Sequence, residues 1–140
     1  MADGLELAVI LPTFCEADNV GPLTTALDAA LQGHRWEAIF VDDNSPDETA
    51  ERVREAGRSD PRIRIIERVG RRGLSSACAE GMLATAAPLV AVMDADLQHD
   101  PTVLRQMLEM LKHDEDLDIV IGSRFVEGGG IGDWSEDSYL

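Results

Sequence analysis

The sequence predicts an α/β domain with a mostly parallel central sheet flanked by helices. Two observations carry that expectation. Short apolar runs alternate with segments at helical spacing from Leu7 to Ile121. Clusters of polar residues follow directly after those runs, at the carboxyl ends of the expected strands, where open α/β sheets bind ligands.

Leu7 to Leu11 reads as a first strand, continuous and β-rich, hence buried on both faces. Val20, Leu23, Leu27 and Leu31 then recur at helical spacing. Ala38 to Val41 is the second strand. Ser45-Pro46-Asp47-Glu48 reads as a helix start, with Ser45 as N-cap and Glu48 closing a capping box. That helix is expected to run to about Ala56. Ile63 to Ile66 is the third strand, and Leu74, Ala77, Cys78, Gly81 and Met82 mark the next helix. Leu89 to Met93 is the fourth strand. Asp100-Pro101 opens a helix with Val103, Leu104, Met107, Leu108 and Leu111 inward. Ile119 to Ile121 is expected to add a fifth strand. Residues 1–126 would form one domain, and residues 127–140 a Gly-rich acidic loop or tail.

The 140 residues suffice for a core, and 44% of them are hydrophobic, which excludes general disorder. A net charge of −15 argues against a nucleic-acid binder. No apolar run reaches the length of a membrane span, and the acidic start lacks the basic region of a secretory signal, so a cytoplasmic location is expected. Arg52, Arg54, Arg58, Arg62, Arg64, Arg68, Arg71 and Arg72 hold most of the positive charge. They read as a solvated, ion-paired surface, with contact to phosphate or a lipid headgroup as the alternative. Cys15 and Cys78 suggest neither a disulfide framework nor a zinc site.

The carboxyl ends of the strands carry Pro12-Thr13-Phe14-Cys15-Glu16, Asp42-Asp43-Asn44-Ser45, Asp94-Ala95-Asp96 and Gly122-Ser123-Arg124. Ser45, Glu48 and Asp100 are explained as helix caps. Asp42 beside Asp43, Asp94 near Asp96, and Glu16 on the same edge would repel unless a cation or polar donor intervened. Asp94, Asp96 and Gln98 alternate in sequence, which puts them on one side of an extended segment. Three oxygen ligands suit Mg²⁺ or Mn²⁺, and such a cation could hold a diphosphate. The Gly70 to Gly73 pair is weak as a phosphate loop. Nucleotide triphosphatase, dinucleotide dehydrogenase and α/β hydrolase signatures are missing.

Taken together these segments resemble glycosyltransferase family 2, and within it the dolichol-phosphate mannosyltransferase-type, or polyprenol-phosphate sugar transferase, group. The resemblance rests on Leu11 to Glu16, Val41 to Thr49, Met93 to Pro101 and Gly122 to Phe125, in the family's order. It implies a GT-A fold, a Rossmann-like nucleotide-sugar-binding domain. It implies that Pro12, Phe14, Glu16, Val41 and Asp43 line the nucleobase and ribose pocket. Asp94, Ala95, Asp96 and Gln98 would bind the diphosphate through a metal, Asp94, Asp96 and Gln98 as its ligands, with Asp96 central. Arg124 would contact a phosphate of donor or acceptor, and Gly73 with Arg71 and Arg72 would border the donor. The family usually has Asn at the position of Cys15, and it continues past the Gly-rich segment. This chain therefore reads as truncated.

The implied reaction moves a hexose, mannose from GDP-mannose, to a polyprenyl or dolichyl monophosphate at the cytoplasmic face of a membrane, with inversion. A phosphate acceptor is already an anion and needs little general base. Two rivals stand beside it. One is a family member with a hydroxyl acceptor, for which Asp100 or a residue beyond this chain could be the carboxylate base. The other is a donor-binding fragment without turnover. A homo-oligomer is a further expectation, because a short chain leaves surface to cover.

Overall fold

The computed structural model describes residues 4–123. Arg124 and the expected tail at 127–140 lie outside them. The elements alternate as expected: β1 (Leu7–Thr13), α1 (Ala17–Ala30), β2 (Trp36–Asp42), α2 (Thr49–Ser59), β3 (Ile63–Glu67), α3 (Leu74–Leu83), β4 (Leu89–Val92) and α4 (Thr102–His113). The strands form one parallel sheet in the order β3-β2-β1-β4. Its carboxyl ends therefore all open on one edge.

β1 and β2 are central and buried on both faces, as their unbroken apolar runs require. Leu7, Val9 and Leu11 with Trp36, Ala38 and Phe40 form one face. Val20, Leu23 and Leu27 of α1, Val53 of α2 and Leu104 and Leu108 of α4 cover that face. Ala8, Ile10, Ile39 and Val41 form the other face, under Ala77 of α3. Of the residues that mark α3, Leu74 and Met82 point out: Leu74 is 63% and Met82 is 44% exposed. Gly81 explains how α3 packs. A Cβ there would stand 2.4 Å from Ile10 Cγ2 and 3.1 Å from Val41 Cγ2. The helix lies so close to the sheet that its small residues, not its large ones, make the contact.

Two expectations need correction. Ile119 to Ile121 form no strand, and Ile119 and Ile121 are exposed. An apolar run becomes a strand only where a neighbour shares its ladder, and among the described residues β4 pairs only with β1. Ser45 does not cap α2, which begins only at Thr49. The Asp47 carboxylate instead accepts the Thr49 amide at 3.0 Å, while the Ser45 hydroxyl is used between loops. Pro101 is the N-cap of α4, and Asp100, one residue before it, accepts the Thr102 amide at 2.9 Å.

Two of the three helical glycines are expected to respond oppositely to alanine. Gly81→Ala should destabilise the fold by about 1–3 kcal/mol, the overpacking against Ile10 exceeding the helix-propensity gain. Gly21→Ala, with nothing within 4 Å of its added Cβ, should stabilise it by about 0.5–1 kcal/mol. Urea unfolding of the two variants checks both signs.

Candidate nucleotide-sugar site

The loops leaving β1 and β2 are stitched together by one buried carboxylate. Asp42 is fully buried. It accepts the Thr13 hydroxyl at 2.8 Å, the Ser45 hydroxyl at 2.6 Å and the Ser45 amide at 2.9 Å. The Ser45 oxygen in turn accepts the Cys15 amide at 2.9 Å. Thr49 Oγ1 accepts the Glu16 amide at 3.0 Å and donates to Asp47. Three loops of this edge each contain a non-glycine residue in the left-handed region: Cys15 at φ 58°, Asn44 at φ 54° and Leu97 at φ 64°. Cys15 thus occupies a backbone state that asparagine adopts more readily.

Asp43 faces the other way. Its Oδ1 accepts Arg68 Nε at 2.6 Å and its Oδ2 accepts the Gly73 amide at 2.9 Å. Arg68 is fully buried. It also donates to Ser76 Oγ at 2.8 Å, Glu80 Oε2 at 2.9 Å and the Gly73 carbonyl at 2.9 Å. Asp42 and Asp43 therefore coexist because separate sets of donors fill their oxygens. The sequence reading placed Arg68 only in a surface group and missed this role. A signal was there: Ser76 and Glu80 share one helix face at a spacing of four. The other arginines of that group hold carboxylates, as expected of an ion-paired surface, except Arg72. Its guanidinium lies 5.2 Å over the Phe14 ring.

Phe14, Asp43, Pro46, Arg68, Gly70 and Arg72 line a cleft of about 400 Å³. Three expected donor contacts are thereby brought together: Phe14, half-exposed, Asp43, and Gly73 at the cleft's rim through its bond to Asp43. Pro12 is the half-buried end of β1. Glu16 accepts Asn19 Nδ2 at 2.6 Å. Val41 is different: its side chain is fully buried under α3 and belongs to the core.

The second part of the site follows β4. Met93 and Ala95 point into the core while Asp94 and Asp96 point out, so the expected alternation holds that far. It breaks at Leu97, whose positive φ turns the chain. Asp96 Oδ1 then accepts the Gln98 amide at 3.0 Å. Asp94 is the more exposed, with His99 Nε2 3.6 Å from its Oδ2. Among the described residues, no lysine or arginine pairs with Asp94 or Asp96, and no three His, Cys, Asp or Glu side chains converge as a metal cage. The expected set has only two carboxylates, with Gln98 adding an amide oxygen. Hard oxygen donors without a basic partner fit Mg²⁺ or Mn²⁺ chemistry.

Electrostatics tie the cleft to acid stability. Arg71, then Arg68, hold the Glu80 carboxyl at about 2, against 4.5 ordinarily. Arg68 likewise lowers Asp43. A depressed folded-state value stabilises the fold above the unfolded value, and that contribution fades as pH falls from 4.5 towards about 2. Glu80→Gln should flatten the loss of stability over that interval in urea unfolding followed against pH. Some slope should persist from Glu6, which the Arg35 amide and Lys112 also hold at about 2.

Comparison with known proteins places this geometry. The chain is 41% identical to "Dolichol-phosphate mannosyltransferase" of Pyrococcus furiosus over 93% of its length and 36% of the relative's. It is 40% identical to the protein of that name from Saccharomyces cerevisiae, over 93% and 49%. It is 39% identical to "Dodecaprenyl-phosphate galacturonate synthase" of Rhizobium johnstonii, over 86% and 36%. The chain thus spans less than half the length of these relatives. Among solved structures, it superposes on mannosyltransferase PcManGT of Pyrobaculum calidifontis, in complex with GDP-Man and Mn²⁺. The TM-score is 0.67 at 24% identity, over 81% of this chain and 34% of that one. It also superposes on glucosyl-3-phosphoglycerate synthase of Mycobacterium tuberculosis, with Mn²⁺ and UDP, at TM-score 0.65 and 22% identity, over 80% and 41%. These likenesses show a GT-A fold. Residues 8–139 match the family described as Glycosyl transferase family 2, and with nearly the whole chain matched, the protein belongs to that family.

Proposed function

We propose that this domain binds a nucleotide-sugar, GDP-mannose, and serves transfer of its hexose to a polyprenyl monophosphate, with inversion at the anomeric carbon. One observation carries the reading. Asp42, Asp43 and Asp47 all have both oxygens engaged by protein donors. Asp94 and Asp96, on the same edge, are left without a basic partner among the described residues. Two carboxylates close together on this edge, with oxygens not taken up by hydroxyl and amide donors as those of Asp42, Asp43 and Asp47 are, suit an external cation. The names of the relatives support a polyprenyl-phosphate acceptor, and the GDP-Man and Mn²⁺ of the superposed mannosyltransferase support the donor.

Asp94, Asp96 and Gln98 would hold Mg²⁺ or Mn²⁺, which supplies charge neutralisation for a departing nucleoside diphosphate. Phe14 and Arg72 offer an aromatic face and a cation to the base and phosphates. A phosphate acceptor, already ionised, needs little general base, whereas a hydroxyl acceptor would call on one such as Asp100, whose Oδ1 accepts the Thr102 amide. Arg124 is proposed as the phosphate contact. No described helix is long and apolar enough to cross a membrane. The lipid acceptor would be met at the cytoplasmic membrane surface.

Calorimetric titration of GDP-mannose and UDP-glucose, each with Mn²⁺ or with EDTA, tests the reading. GDP-mannose is expected to bind in Mn²⁺ and to weaken in EDTA. Asp96→Ala should remove the Mn²⁺-dependent part, a loss of about 100-fold. Equal affinity in Mn²⁺ and EDTA, or an unaffected variant, overturns the cation assignment. Preference for UDP-glucose overturns the choice of donor.

A further inference from the structure

We propose that His99 is a positioning residue that shapes the Asp94 to Gln98 loop through its unprotonated Nδ1. The inference rests on the cation reading above and assigns a role that the ligand set leaves open. β4 pairs with β1 up to Val92, and the Met93 amide still donates to the Ile10 carbonyl at 3.1 Å. The next amide, Asp94, has left the sheet and donates to His99 Nδ1 at 3.2 Å. An imidazole nitrogen that accepts a hydrogen bond carries no proton, so the neutral ring holds its proton on Nε2. That nitrogen lies 3.6 Å from Asp94 Oδ2. One ring therefore faces both the main chain and the carboxylate of a single residue.

The consequence is geometric. The loop turns at Leu97 in the left-handed region, and the Gln98 amide is tied back to Asp96. His99 closes this turn onto its first residue. Asp94, Asp96 and Gln98 are then held on one short, closed segment. Without that bond, the Asp94 amide would seek water and the oxygens would have to be ordered by the cation itself. Groups that orient metal ligands typically change affinity by about 10–100-fold.

Three variants of the full chain separate the atom from the ring. Asparagine places its Oδ1 where Nδ1 stands and keeps the acceptor. Phenylalanine keeps the ring and loses the acceptor, and glutamine reaches only towards the Nε2 position. In metal-free protein, His99→Phe and His99→Gln should speed hydrogen exchange of the Asp94 amide by about tenfold or more, and His99→Asn should restore protection. Mn²⁺ titrated in the presence of GDP should bind about 10–100-fold more weakly to His99→Phe and within about threefold of the unaltered chain for His99→Asn. Unfolding midpoints should stay together across the series. Unchanged Mn²⁺ affinity in His99→Phe overturns the inference while leaving the cation reading intact. Equal losses in His99→Asn and His99→Phe also overturn it, because the ring and not Nδ1 would then matter. An unaltered chain that takes up no Mn²⁺ overturns the cation reading, and this inference with it.

Discussion

The carboxylate of Asp42 lies fully buried where β2 leaves the sheet, and its charge is tolerated only because donors fill its lone pairs. Supplying those donors dictates the shape of the whole edge. Ser45 reaches back to Asp42 because the chain reverses at Asn44, with positive φ. Once the Ser45 hydroxyl is fixed, it offers its oxygen to the Cys15 amide, and Cys15 is drawn into the left-handed region. Thr13, one strand over, completes the set. The loops after β1 and β2 are therefore one construction, which explains how Phe14 can stand half-exposed yet fixed at the mouth of the cleft.

Asp43 extends the same logic to the third strand. Asp42 pairs with Glu67 across β2 and β3, so the next residues, Asp43 and Arg68, emerge side by side. A buried guanidinium is tolerated where its donors find partners, and Arg68 makes four such bonds, to Asp43, Ser76, Glu80 and Gly73. The Gly70 to Gly73 loop hangs from that hub. Gly73 itself stands at φ 120°, which a side chain adopts only with strain, so this glycine is a backbone requirement and not a phosphate-loop signature.

The alternation of apolar runs and helical periods located all four strands to within two residues, because buried parallel strands leave a nearly continuous apolar record. The same signal misled at Ile119 to Ile121, since apolarity records a tendency to be buried and not the neighbour that would do it. The carboxyl-edge rule picked out the residues that form the cleft and the Asp94 loop. It could not rank them. Val41 and Asp43 are two positions apart in the same segment, yet one is core and the other lines the cleft. Ser45 and Asp47 shared a capping pattern, and tertiary demand for a donor to Asp42 claimed Ser45. Arg68 and His99 are hard to single out in sequence, because the partners of Arg68 lie past the end of β2 and on α3 and that of His99 lies behind a reversal at Leu97.

The close seating of α3 on the sheet has one more consequence. Gly81 sets the height of that helix above Ile10 and Val41, and Glu80, its neighbour in the chain, and Ser76, five residues earlier, take their height from it. The helix behaves as a rigid beam resting on two small bearings, Ala77 and Gly81. A methyl group added deep in the core would lift the beam, and the lift would arrive at the opposite end as a displaced Arg68. Core volume and cleft shape are thus one mechanical variable in this domain, so changes that relax the interior are also changes in how the nucleotide edge is drawn.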